Sequence, residues 1–471
     1  GNASIVINKK TITLEGKSST GIFGENNSTL LNDTTGNITV KEEASVGIFS
    51  KSNTNKAENK GTILTEKKKS AGMFGSKGEL ENTNSITTKD EGSAGMYVEH
   101  SKATNKKNIL AEGKASAGIY AKLSEATGGT ASGANEGADA VITMKKEGSA
   151  GMLGEVKSTV TAASTLTLIN SGNIKANNIS TKVTNIKNDG KILAFNNISF
   201  SNAKNISNTK EIIALKDITA NNTNLVNNGN IASNGKILLN NANITNTKKI
   251  SSSTVEMKEN KKFSNSGEII GNNVTLTTKN NINLVGKLHG AQNLTISGKN
   301  IVNNGETTGT GTTTITASNN FTNNKDLSAQ ILKVNARGNI VNNSSLNGGT
   351  VNVSGKNIEN NDLIAAAGNV TLTATNKVDN KAGKAIYAGV DLNITAKEIL
   401  NNKDSELLGS NIELTADKVR NEVGTIKASH NILIKTDKLE NIGEVKDLDK
   451  YEKYYETWDG KILKENEIDD W

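Results

Sequence analysis

Several things are missing from this chain of 471 residues, and each absence narrows what it can be. There is no cysteine, which excludes a disulfide scaffold, thiolate catalysis and Cys-ligated zinc. It also suits a chain kept unfolded during export. There is no proline, the composition of a backbone whose N–H groups are nearly all committed to sheet ladders. Aromatic residues make up 3% and hydrophobic residues 34%, which argues against globular cores built on Phe, Tyr and Trp. Arginine occurs only at Arg337 and Arg420, so the net charge of +7 is lysine charge. Scattered lysines do not make the planar forks that read bases and phosphates, so no nucleic-acid partner is expected and the charge reads as solvated strand faces and edges. No apolar run approaches the roughly 20 residues a membrane helix needs, so the chain is not expected to span a membrane. It opens at Gly1 without a signal peptide and is expected to be an internal piece of something larger.

Low hydrophobicity also describes disorder, but Ile, Leu and Val recur here with a regular period. From Asn170 onward one phrase returns: an apolar residue, a spacer, an Asn, a turn containing Gly or Asn, then a second apolar pair. It reads LINSGNIKA at 168–176, IKNDGKILA at 186–194, LVNNGNIAS at 225–233 and FSNSGEIIG at 263–271. The anchoring residues are Asn170, Asn188, Asn208, Asn227, Asn246, Asn265, Asn303, Asn323, Asn342, Asn360, Asn380, Asn401, Asn421 and Asn441. Their spacing is about 19–20, with one double interval of 38 that has Leu284 at its midpoint. Short alternating segments such as NVTLTA (369–374) mark strands, and a period near 20 marks a solenoid. A unit this short cannot bury its apolar face alone. Coiled into one rung of strands and stacked on its neighbours, it can.

The expected architecture is therefore all-β, a parallel β-helix in which like residues stack on like. An Asn at a rung corner tolerates left-handed backbone and satisfies local backbone groups. Repeated once per rung, its amide can donate to the next rung and accept from the previous one, which predicts a ladder of stacked amides. Each such bond is worth about 1 kcal/mol net. Leu284 should interrupt that ladder without opening a cavity.

The first part carries a different phrase: STGIFG (19–24), SVGIFS (45–50), SAGMFG (70–75), SAGMYV (93–98), SAGIYA (116–121) and SAGMLG (149–154). The intervals between its glycines are 26, 25, 23, 23 and 33 residues, and Asn59, Asn82 and Asn105 recur 23 apart. The small-small-Gly step reads as a tight corner feeding an inward strand. The longest interval holds GGTASGANEGADA (128–140), which reads as a surface loop. These patterns divide the chain into rungs at 1–154, rungs at 155–450 and a tail at 451–471, with the change of repeat near 155–167. About 21 rungs at ~4.8 Å each would make a rod on the order of 100 Å long. The tail YEKYYETWDGKILKENEIDDW holds three of six Tyr and both Trp, and reads as a non-repeat aromatic cap or the start of a following module.

Units such as LTISGKNIVNNGE (294–306), ITAKEILNNKDSELLGS (394–410) and LTADKVRNEVGTIKA (414–428) resemble the repeats of filamentous haemagglutinin-like proteins, the secreted partners of two-partner secretion systems. The likeness covers roughly 170–471. The SAGMF-type units resemble passenger repeats of large adhesins in Gram-negative anaerobes. The resemblance implies a right-handed β-helix, export through an outer-membrane secretion pore, location at the Gram-negative cell surface, and attachment to protein or glycan receptors on host cells or other bacteria. Two departures bear on export. The family's secretion domain carries an asparagine-proline motif that a proline-free chain lacks, and no carboxy-terminal barrel pattern appears, so autotransport stays open beside two-partner secretion.

No catalytic constellation emerges, and no cofactor, metal or catalytic residue is expected. His100, His289 and His430 lie far apart without ligand-spaced partners and read as surface or corner residues. Neither a phosphate-binding loop nor a calcium-binding nonapeptide occurs. A polysaccharide-degrading β-helix needs clustered carboxylates or an arginine on one face with aromatic platforms; here acids are dispersed among lysines. Two readings without chemistry remain: an adhesin binding through exposed rung faces or the 128–140 loop, and a passive stalk of a contact-dependent growth inhibition effector whose toxin lies elsewhere.

Overall fold

A computed structural model describes residues 3–123, 130–137, 139–146, 149–156, 165–176, 179–181, 184–200, 203–443, 454–456 and 462–464. Every regular element among them is a strand. One turn of the chain supplies three: Ser4–Asn8, Thr11–Leu14 and Thr20–Gly24, and the next supplies Ser28–Asn32, Asn37–Val40 and Val46–Ser50. Each pairs in parallel with its counterpart one turn later. The pattern repeats to Ile442, giving a parallel β-solenoid of about 20 turns with three faces. First- and second-face strands run through one 44-stranded sheet, while third-face strands of the first six turns form a separate six-stranded sheet ending at Ala150–Val156.

Alternation explains the core. Along a strand every second side chain points inward, and here those positions hold aliphatic residues. On the second face Ile38, Ile63, Ile86, Ile109, Ile142, Ile174, Ile192, Ile212, Ile231, Ile250 and Ile269 stand in register, one per turn, each at most 4% exposed. Ile suits a pleated, half-buried surface because its branched Cβ packs against identical neighbours above and below. Fully burying one such side chain is worth about 1.5–3 kcal/mol.

Backbone pairing continues through the turns. Asp33 donates its N–H to the Asn8 carbonyl, Lys60 to that of Asn32 and Thr83 to that of Asn59, at 2.8–2.9 Å. A proline at any of these positions would remove a rung-to-rung bond, which accounts for its absence.

Beyond Lys249 the corners straighten. The second and third faces merge into Lys249–Lys258 and Glu268–Thr277, and later single strands run through a whole turn: Leu346–Asn360, Glu406–Glu422 and Thr425–Ile442. Three of the corners there are no more than register shifts, at Gly271/Asn273, Gly355/Asn357 and Gly409/Asn411.

Three expectations need correction or qualification. The stretch 128–140 is not a surface loop throughout: Thr130–Asn135 is a first-face strand paired with Lys102–Asn105 and Thr165–Asn170, and Ala131, Ala134 and Asn135 are buried. Its small residues are core residues; 128, 129 and 138 lie outside the described residues. The anchoring asparagines do not use left-handed backbone. They end first-face strands, and positive φ falls instead on other corner residues, among them Ser18, Ala44, Lys69, Gly92 and Ala115, three positions before each third-face glycine. Of the expected cap at 451–471, only Tyr454–Glu456 and Ile462–Lys464 are described, as an antiparallel pair. Both tryptophans lie outside the described residues, as do 157–164 at the change of repeat.

Candidate functional site

Two kinds of feature carry the molecule's recognisable chemistry: columns of identical side chains along the rod, and grooves between its faces. The most extended column is the amide spine. Asn170 donates from Nδ2 to Asn188 Oδ1, and the bond repeats through 188, 208, 227, 246 and 265, then from 303 through 323, 342, 360, 380, 401, 421 and 441, at 2.7–3.0 Å. These residues are buried along most of the column; Asn441, on the open last turn, is exposed. From Asn170 to Asn421 each Nδ2 of the spine also donates to a backbone carbonyl, as Asn188 does to Gly190 and Asn360 to Asp362, both at 2.9 Å. A carbonyl can only accept, so this second bond fixes which way each of these amides faces.

Leu284 stands between Asn265 and Asn303 in register and is 2% exposed. At the break Asn265 donates to the Gly267 and Lys287 carbonyls, and the Asn303 oxygen accepts the Thr307 hydroxyl at 2.8 Å. The spine also runs back through the first six turns, taking in Asn59, Asn82 and Asn105, which the sequence shows recurring 23 apart, and Asn8, Asn32 and Asn135, which sequence reasoning missed. Asn8, Asn32, Asn59, Asn82, Asn105 and Asn135 are bonded in series and reach Asn170.

The first six turns add three more columns. The serine opening each SAGMF-type phrase is buried from Ser45 onward and half-buried at Ser19: the backbone N–H of Ser19, Ser45, Ser70, Ser93 and Ser116 points at the hydroxyl one turn on, at 3.0–3.4 Å. The aromatic residue of the phrase faces outward. Phe23, Phe49, Phe74, Tyr97 and Tyr120 stack with ring centroids 4.6–5.3 Å apart. The Tyr97 phenol donates to Glu99 and the Tyr120 phenol to Glu155. Burial, reinforced by these carboxylates, pushes both phenol pKa values well above the ordinary tyrosine range. The third device is charge. After each second-face strand comes Glu15, Lys41, Glu66, Lys89, Glu112 or Lys145 in turn order, and two positions on come Lys17, Glu43, Lys68, Glu91 and Lys114 in the opposite phase. Lys41–Glu15, Lys89–Glu66 and Lys68–Glu43 pair at 3.2–3.5 Å.

One groove, about 640 Å³, follows the corner between first and second faces and is lined by Asn173, Asp189, Lys191, Thr209, Glu211 and Asn230 among others. A second, about 540 Å³, lies between second and third faces beside Ser233, Asn234, Ser252, Asn272 and His289. The first offers hydroxyl, amide and ionic groups to an extended polar ligand, and the second offers hydroxyl and amide groups with the His289 imidazole. His289 is half-buried and bonds Thr308 Oγ1 at 2.9 Å; His100 is half-buried and His430 exposed. Among the described residues no three His, Asp or Glu side chains gather as a metal would require. The most deeply placed carboxylate, Asp379, sits against Lys377 at 3.0 Å, Lys381 at 2.8 Å and the Asn402 amide at 2.8 Å. Burial would raise its pKa, but these hydrogen bonds outweigh it and hold the carboxyl below its usual range.

Comparison with known families decides the relationship. The haemagglutinin repeat matches residues 156–210, 212–286, 269–344, 332–382 and 365–443, more than half the chain. The chain belongs to the haemagglutinin-repeat family. The match takes in every turn from 165 to 443 and leaves the SAGMF-type turns outside it. No match was found among curated proteins or among solved structures. Haemagglutinin-repeat proteins are typically secreted or surface-exposed, and repeats of this family on a β-helical stalk fit an adhesin-like role. Among the described residues no helix is long and apolar enough to cross a membrane.

Proposed function

We propose that this chain is the stalk of a secreted or surface-exposed bacterial adhesin that attaches to receptors on host cells or other bacteria and performs no catalysis. The observation that carries the reading is the run of haemagglutinin repeats between 156 and 443, whose described residues wind into a parallel solenoid. A rod of about 20 turns at ~4.8 Å per turn holds a contact surface on the order of 100 Å from its base. The corner grooves give that surface hydrogen-bonding concavities. Charge supports the absence of chemistry: exposed acids are dispersed along the rod, many of them in ion pairs with lysines, as Glu211 is with Lys191 at 2.9 Å. Export through an outer-membrane pore, by two-partner secretion or autotransport, and retention at the Gram-negative outer membrane complete the proposal.

The test is binding of the purified, fluorescently labelled chain to host epithelial cells and to bacteria. Saturable binding competed by unlabelled chain is expected. Binding that stays linear with concentration on both surfaces would sink the adhesin reading in favour of a passive stalk that carries a toxin or receptor-binding module.

A further inference from the structure

We propose that Tyr97 and Tyr120 form an oxidisable pair that a one-electron oxidant of the haem-peroxidase class couples into a dityrosine bridge between adjacent turns. The two residues are in register on neighbouring third-face strands, Ala94–Glu99 and Ala117–Leu123. Their rings lie 4.8 Å apart at an interplanar angle of 11° and are half-buried on the outer side of the sheet. Each phenol already donates its proton to a carboxylate, Tyr97 to Glu99 and Tyr120 to Glu155. Loss of an electron from a phenol needs somewhere for its proton to go, and here both acceptors are in place.

The chemistry balances. Hydrogen peroxide, acting through the peroxidase, takes one electron from each phenol, while the two phenolic protons pass to Glu99 and Glu155 and from there to the reduced peroxide, which leaves as two waters. The two phenoxyl radicals join through ring carbons ortho to oxygen, forming one C–C bond. The hydrogens on those carbons then shift to the oxygens, restoring both phenols. The product is two hydrogens lighter than the starting chain.

The setting favours coupling within the chain. The sheet holds the two residues opposite one another, so a radical on either ring meets the other before it meets a second molecule. In a chain without cysteine, this pair offers a covalent link between turns that no disulfide can supply. Closing the 23 residues between the two positions would restrict the unfolded chain as a disulfide of that loop length does.

The test treats the full chain with a haem peroxidase and hydrogen peroxide, follows dityrosine fluorescence, and maps the linked peptides by mass spectrometry. The expected product is monomeric, two hydrogens lighter, linked between positions 97 and 120, and unfolds at higher urea than untreated chain. Tyr97→Phe should abolish that link. It is expected to fold, because Phe already occupies the same column at positions 23, 49 and 74. Exposed Tyr387 and the tail residues Tyr451, Tyr454 and Tyr455 serve as internal competitors. No dityrosine at all, links confined to those four residues, purely intermolecular links, or an unchanged yield in Tyr97→Phe would each overturn the proposal.

Discussion

The turns up to Val156 and those from Thr165 to Ile442 wind the same three faces around the same amide spine, yet they make their corners in different ways. In the first block the connection from second to third face spans five residues, 15–19 in the first turn, with a left-handed residue, a buried serine and alternating charges. In the second it shrinks to three, as at 215–217, and farther along it becomes a bulge in a continuous strand. The extra residues per turn in the first block therefore sit mainly at corners and at the edges of the third face. What the two blocks share is the step from first to second face, where every Asn of the spine sits. Stacking tolerates variable corners as long as one column keeps register.

The largest effect should fall on what is common. Asn82→Asp in the first block and Asn360→Asp in the second each put a carboxylate where an amide must donate to the next turn, to Asn105 and Asn380 at 2.8 Å. Each should cost about 3 kcal/mol at neutral pH, read from urea unfolding. The introduced carboxyl is expected to have its pKa raised in the folded chain. Its penalty is therefore complete above that raised value and shrinks as acid restores a proton that can be donated. Unequal losses at the two sites would break the idea of one shared spine.

The next effect should separate the blocks. A Cβ on Gly95 would lie 2.5 Å from Ile109 Cγ2 and 2.6 Å from the Gly118 carbonyl oxygen, whereas on Gly355 its nearest neighbour is the end of the Ile340 side chain at 3.0 Å. Gly95→Ala should cost about 2–3 kcal/mol and Gly355→Ala less than about 1 kcal/mol. Equal costs in the same unfolding assay would mean that the two glycines serve one purpose.

Among the described residues Glu58 and Glu81 hold the corresponding place in the first six turns but are only half-buried, whereas Asp379 is 4% exposed. Its folded pKa is lowered, so its contribution is present above the unfolded value near 3.9 and is lost as pH falls through the folded one. Asp379→Asn should cost about 1–2 kcal/mol at pH 7, and the gap between variant and parent should close below about pH 4. A gap unchanged in acid would remove the charge from the account.

The smallest effect concerns the alternating corner charges. Exchanging Lys89 and Glu91, as the double variant Lys89→Glu and Glu91→Lys, keeps composition but sets Glu between Glu66 and Glu112 and Lys between Lys68 and Lys114. A loss of about 1 kcal/mol is expected, vanishing in 1 M salt. The second block has Phe195, Leu215 and Asn234 in the corresponding place, so no such sensitivity arises there. A loss that persists in high salt would assign the corner to packing.

Much of this was legible in the sequence. The solenoid and the spine from Asn170 to Asn441 followed from a period that barely varies. Of its earlier members Asn59, Asn82 and Asn105 showed as a recurrence, but Asn8, Asn32 and Asn135 did not, because they stand 24 to 35 residues from their neighbours in the column, and corner length hides the constant register. The outward aromatic column was also hidden. In Ala71–Ser76 three residues in a row, Ala71, Gly72 and Met73, are buried, and in the next strand the pairing passes from Ala94 to Met96 around Gly95. That kink resets the inside–outside alternation, so the direction of the ring cannot be counted from the strand's start. The stretch at 128–140 misled because glycine and alanine mark loops by composition, yet in a narrow coil they are also what fits inside. The grooves depend on how successive corners lie over one another, which no single repeat encodes.

The amide spine has a sense of direction. In every pair from Asn8 onward the hydrogen points toward the later turn and the oxygen toward the earlier one, while the exposed amides of Asn304, Asn324, Asn343 and Asn361 point the other way. A completed coil thus leaves an interior hydrogen with nothing to receive it until the next coil closes above. Assembly from the leading end would advance like a zipper whose last tooth is always open, and Leu284 is the place where such a wave can pause without a dangling bond.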